Sequence, residues 1–163
     1  MKSTSNLSIH TKIRIFKSNV LGVLLYGSEC WKTTVTIEKK LNTFQTKCLR
    51  RIAKIFWPNT ISNDDLYKLT NTFEISRNIQ RRRWRWLGHV CRMSPAAIPR
   101  TAMVWTPQGK RSRGRPKETW RRTVIRDLRN RGLSIQTAPQ VAADRDRWRS
   151  LAVASGTRRR GEE

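Results

Sequence analysis

The chain has 163 residues, 35 of them lysine or arginine against 11 acidic ones, for a formal net charge of +24; hydrophobic residues make up 37% and tryptophan occurs seven times. That length suits one ordinary domain or two small ones with a modest core, and so extreme a charge speaks of partners: nucleic acid, an anionic membrane surface or an acidic protein. No apolar run approaches the roughly 18 residues of a membrane span, no secretory h-region is present, and three scattered cysteines (Cys30, Cys48, Cys91) make no disulfide framework, so a reducing nuclear or cytoplasmic setting is expected.

Taken in order, Ile9, Ile13, Phe16, Val20 and Val23/Leu24 recur at helical steps and predict a first helix that weakens near Tyr26-Gly27. A second stripe, Ile37, Leu41, Phe44, Cys48, Ile52 and Ile55/Phe56, predicts a helix capped by Thr34 or Thr36 and ended by Trp57-Pro58-Asn59. Ser62-Asn63-Asp64-Asp65 opens a short helix through Leu69 as a capping box. The next helix, from about Glu74 to Met93, carries Ile75, Ile79, Trp86, Val90 and Met93 on one face, with Gly88 a weak point inside it. Residues 94–116 hold four prolines and two glycines and read as a long basic binding loop, with Thr101 to Trp105 as a short extended piece. Pro116 then opens a helix over about Lys117 to Arg131, with Trp120, Val124 and Leu128 inward and Gly132 as terminator. A last helix after Pro139 holds Val141, Trp148, Leu151 and Ala152. No strand alternation persists. The expectation is an all-α fold, a small bundle of about five to six helices with a proline- and glycine-containing loop, divided into regions 1–73 and 74–155 and followed by a disordered tail, 156–163.

The charge differs in kind between the regions. Residues 1–73 are net +8 and use mostly lysine; residues 74–163 are net +16 and use arginine at every basic position but Lys110 and Lys117. Arginine offers a planar fork for phosphate and a face for stacking, which lysine does not. The candidate nucleic-acid contacts are therefore Arg81, Arg82, Arg83, Arg85, Lys110, Arg111, Arg113, Arg115, Lys117, Arg121 and Arg122, with Trp84 as a stacking ring. Trp84 is two positions from Trp86, and both cannot share one helical face; Trp86, Trp120 and Trp148 are assigned to the core.

Catalytic chemistry is poorly represented. His89-Val90-Cys91 has no second ligand pair at zinc-site spacing, the serines and cysteines form no nucleophile arrangement, and Asp64-Asp65 reads as first-turn acids facing a helix dipole rather than as a metal-binding pair. Asp144 to Arg149 reads as a helix face with local ion pairs around a buried Trp148. No catalytic residue, metal or cofactor is assigned. Arg113-Gly114-Arg115-Pro116 matches the short core of an AT-hook, whose arginines enter the narrow minor groove of A·T-rich DNA, which gives the alternative reading of a minor-groove DNA-binding protein.

Several segments occur in a recognisable order: Leu24-Leu25-Tyr26-Gly27-Ser28-Glu29-Cys30-Trp31; Leu49-Arg50-Arg51-Ile52; Arg82 through Met93; Gly109 through Pro116 with Trp120-Arg121-Arg122; and Ala143-Asp144-Arg145 before Trp148. Together they resemble the C-terminal, thumb and post-thumb region of reverse transcriptases encoded by non-LTR (LINE-type) retrotransposons, over about Ile9 to Trp148. The resemblance implies a thumb-like region at 1–73, an arginine-rich region after it, and a role in holding template RNA, primer DNA or their hybrid beside a polymerase palm. The family's catalytic aspartates have no counterpart in these residues, so it also implies a chain that does not polymerise alone.

Overall fold

The computed structural model describes residues 7–105, 108, 109, 114 and 119–154, which are helical with no strand among them. They fall into two units, one drawn from Met1–Gly27 and Val35–Asn78, the other from Ser28–Thr34 and Ile79–Glu163.

In the first unit, α1 (Ile9–Ile15) starts at Ser8, whose hydroxyl accepts from the Thr11 amide at 3.1 Å. It runs through a π-helical segment, Phe16–Leu21, into the short α2 (Gly22–Leu24). The π segment corrects the expected apolar stripe. Ile13 and Phe16 are buried, but the next buried positions are Leu21 and Leu25, while Val20 and Val23 are exposed. A π turn closes over five residues rather than four, so the inward face advances by one position and leaves Val20 and Val23 outside.

The helix α3 (Val35–Ala53) also turns a different face inward than its apolar residues suggest: Gln45, Thr46 and Leu49 are buried, whereas Ile37 and Phe44 are each 41% exposed. Polar side chains occupy this face because they hold the start of α5 (Ile75–Cys91). Gln45 accepts from the Ile75 amide at 3.0 Å and donates to the Phe73 carbonyl at 2.9 Å; Asn42 accepts from the Ser76 amide and donates to its hydroxyl, both at 3.2 Å. Two donors at the start of α5 are thus satisfied by amides from another helix.

Contrary to expectation, α3 ends before Trp57-Pro58. Ile55 N–H donates to Arg50 O (3.0 Å) and Lys54 N–H to Arg51 O (3.2 Å), with Lys54 left-handed at φ 55°. This is a Schellman ending built on a lysine. Lys54→Gly should stabilise this end by about 1 kcal/mol, the penalty a side chain suffers in that conformation; slower hydrogen exchange of the α3 amides would register it. The expected cap at Ser62 is present, with the return bond made to its hydroxyl: α4 (Asn63–Leu69) has Ser62 Oγ accepting from Asp65 N–H at 3.1 Å and donating to Asp65 Oδ2 at 2.7 Å. That bond, helped by Lys68, holds the Asp65 carboxyl below its ordinary range.

In the second unit, α5 packs Trp84, Leu87, Val90 and Cys91 against Met103 of α6 (Ile98–Val104), Val124 and Leu128 of α7 (Trp120–Arg129), Ala142 of α8 (Ala138–Ala143), and Trp148 and Ala152 of α9 (Arg145–Ala154). Two expectations are corrected. Residues 101–104 are helical rather than extended, because Pro99 lies in the first turn of α6, where its missing N–H costs nothing. The last helix is two, broken at Asp144, whose Oδ1 accepts from the amides of Asp146 and Arg147, both at 3.0 Å, and so caps α9 instead of pairing with an arginine. These changes carry the fold beyond the expected five to six helices. α7 begins with Thr119 accepting from Arg122 N–H at 3.3 Å and ends at Gly132, left-handed at φ 66°, as expected. The expected helix start at Pro116 and Lys117, and the tail 156–163, lie outside the described residues.

Candidate nucleic-acid interface

Arg81, Arg82, Arg83 and, after Trp84, Arg85 spread over more than half the circumference of a helix, so they cannot all face a ligand. Of these four arginines only Arg85 is exposed; Arg81 and Arg82 are half-buried, and Arg83 and the neighbouring Trp84 are buried at 3% and 1% exposure.

Arg83 is therefore a core residue rather than a phosphate contact. Its Nη1 donates to Asp127 Oδ2 at 2.8 Å and its Nη2 to Thr33 Oγ1 at 3.1 Å. Gln80 Nε2 reaches the other Asp127 oxygen at 3.4 Å. The ion pair is almost fully withdrawn from water, with side chains 4% and 12% exposed.

Trp84 likewise is not the stacking ring the sequence suggested. Its indole lies 5.0 Å from that of Trp148, and Trp148 Nε1–H donates to the Trp84 carbonyl at 2.8 Å. Gly88 makes this possible: a methyl group there would overlap the Trp148 indole, 2.6 Å from Cδ1 and 2.9 Å from Cε2. The expected weak point in α5 is the place where another helix's tryptophan lies on its backbone. Trp86 and Trp120, assigned inward, are partly buried and meet edge to face at 5.2 Å; Trp120 Nε1–H donates to the Glu29 carbonyl at 2.8 Å.

Other arginines hold helix ends. Arg92 donates to the Ala142 carbonyl (3.0 Å), Arg100 to the Cys91 carbonyl (3.0 Å) and Arg121 to the Trp105 carbonyl (3.3 Å), at or near the C-termini of α8, α5 and α6. A cation is favoured there because the last carbonyls of a helix lack intrahelical partners and carry its negative pole. Part of the arginine content is thus architecture.

Burial raises the Cys91 thiol above its ordinary pKa, with Arg100 and Arg92 opposing. The group holds its proton longer in the folded chain than in the unfolded one, so its contribution to stability is present below the unfolded thiol pKa and declines as pH rises toward the folded one. Iodoacetamide at pH 8 should label the exposed Cys30 first and Cys91 only on unfolding, which peptide mapping would read.

Among the arginines turned outward in the second unit are Arg85, Arg122, Arg126 and Arg129, joined by Arg145, Arg147 and Arg149 of α9, where Arg149 pairs with Asp146 at 3.2 Å. Arg122 and Arg126 are one helical turn apart on α7. The only acid within α7, Asp127, is turned to Arg83. Arg126, Arg145 and Arg147 were missed as candidates; the i, i+4 spacing from Arg122 was the signal for the first of them. Lys110, Arg111, Arg113, Arg115 and Lys117, and with them the Arg-Gly-Arg-Pro segment apart from Gly114, lie outside the described residues. Among the described residues, no group of three or more His, Cys, Asp or Glu side chains could hold a metal ion, and no helix is long and apolar enough to cross a membrane.

The chain is similar to an uncharacterised protein of Caenorhabditis elegans described as transposon-derived: 26% identity over 162 residues, covering 93% of this chain and 57% of the relative. It thus spans little more than half that relative's length. A family model described as a domain of unknown function (DUF6451) matches residues 3–26. No solved structure matches.

Proposed function

We propose that the chain is a nucleic-acid-binding module of transposon origin, corresponding to the thumb and post-thumb part of a retroelement RNA-directed DNA polymerase. In this reading it grips template RNA, primer DNA or their hybrid, acts beside a polymerase palm, and performs no catalysis of its own. The observation that carries the reading is the outward face of α7, where Arg122 and Arg126 are exposed one helical turn apart. The order of motifs along the chain, the net charge of +24 and the transposon-derived relative support it.

Binding through phosphates releases counterions, so affinity should fall steeply with salt. Six contacts to a duplex predict a log–log slope of about −5. Arg122→Ala with Arg126→Ala should weaken binding to all sequences alike and make that slope shallower by about 2. A filter-binding series with a slope near zero would overturn the reading. Preference for A·T-rich over G·C-rich duplex, lost on replacing Arg113 and Arg115, would favour the minor-groove alternative.

A further inference from the structure

Within the second unit, α6, α7 and the 133–136 turn enclose a cleft of about 540 Å³. Arg100, Arg121 and Arg129 line it, with Val104, Ile125 and Ile135 as its apolar surface, and no carboxylate among the described residues contributes to its wall. Arg100 is held in place by its bond to the Cys91 carbonyl, a neutral acceptor that leaves its charge in place, and Arg129, the last residue of α7, is exposed. The volume lies in the range of pockets that enclose a small ligand. The chemistry is two-sided: guanidinium forks match the paired oxygens of a phosphate, and the branched aliphatic surface suits a flat, weakly polar ring. A nucleotide whose base is not paired joins an anionic group to such a ring at this size.

We infer that this cleft receives a single unpaired nucleotide at the end of a bound strand, its phosphate on Arg100 and Arg129 and its base over Ile125 and Ile135. The inference rests on the nucleic-acid-binding reading and deepens it, because it assigns strand ends, rather than duplex alone, as the preferred substrate.

The test uses the full chain and fluorescence anisotropy with two labelled RNA hairpins, one blunt and one carrying a one-nucleotide 3′ overhang. The overhang should bind about tenfold tighter, near the lower limit of what stacking one base contributes. Arg129→Ala, a surface change, and Ile125→Trp, which fills the cleft, should each bring that ratio to about 1 and leave blunt binding within about twofold; Arg129→Lys should restore part of it. An abasic overhang should lose the preference.

A wild-type ratio near 1 with blunt binding intact overturns the inference and leaves the function standing, as does a preference that survives both variants. An abasic overhang that keeps the full preference overturns the assignment of a base. If neither hairpin binds, the proposed function fails, and an AMP titration followed by NMR decides the cleft by itself. Shifts at the Ile125 and Ile135 methyls that vanish in Arg129→Ala support it; their absence overturns it.

Discussion

Asp127→Ala should cost the second unit about 3–5 kcal/mol, the usual consequence of leaving one member of a buried ion pair uncompensated. Arg83 would then keep a buried guanidinium whose remaining bond among those described is to Thr33 Oγ1, and its Nε already has no hydrogen-bond partner. Arg83→Met should cost a similar amount by stranding Asp127. The double change Arg83→Met with Asp127→Leu should return close to the parent stability, because it removes both desolvation penalties together. Denaturant titration followed by tryptophan fluorescence reads this well, since most tryptophans, Trp84 and Trp148 among them, belong to this unit. The double variant also separates structure from function: its nucleic-acid affinity should stay within about twofold of the parent. A large uniform loss of affinity in a folded double variant would return Arg83 to the phosphate contacts.

Gly88→Ala should destabilise the same unit by about 2 kcal/mol, reversing the usual sign. At an ordinary interior helical position alanine is favoured over glycine by about 1 kcal/mol. Here the added methyl would occupy the space of the Trp148 indole. Relieving the overlap means withdrawing Trp148, which breaks its bond to the Trp84 carbonyl and opens the pair of rings. Gly88→Ala combined with Trp148→Leu should show the ordinary alanine benefit relative to Trp148→Leu alone. A neutral or stabilising effect of Gly88→Ala in the parent would mean that the indole does not rest on α5.

The helical character of the chain was readable because spacing and capping residues report on local backbone, and the inward faces were less so because they depend on distant partners. Three of the left-handed helix endings make the gradation plain. Gly132 announces itself, since glycine adopts that conformation without penalty. Asn71, at φ 45° after α4, is a weaker signal of the same kind, and Lys54 is none. The π segment after Phe16 is equally silent, because a single extra residue in a turn leaves no compositional trace while it rotates everything beyond it.

In the candidate interface, Arg83 and Trp84 were misplaced for one reason. Both look like surface chemistry until Asp127 and Trp148, 44 and 64 residues later, are brought to them. Arg122 is exposed, as the periodicity of its own helix would place it opposite the inward Val124 and Leu128. Gln45 and Asn42 were passed over because a polar residue declares a structural role only when the backbone it serves, at Phe73, Ile75 and Ser76, is known.

The interleaving of the two units along the chain bears on how the protein emerges from a ribosome. Ser28–Thr34 belongs to the second unit but is made before most of the first. Its Glu29 carbonyl waits for a tryptophan translated 91 residues later, and its Thr33 hydroxyl for an arginine 50 residues later. The last helix then supplies the indole that closes the core. The first unit can fold as an excursion within an unfinished second one, whose completion comes only as residues near 148 leave the exit tunnel. Cutting the gene at the start of α5 would sever this nested order, stranding the hydrogen-bond donors of Arg83 and Trp120 that reach back to the first 34 codons.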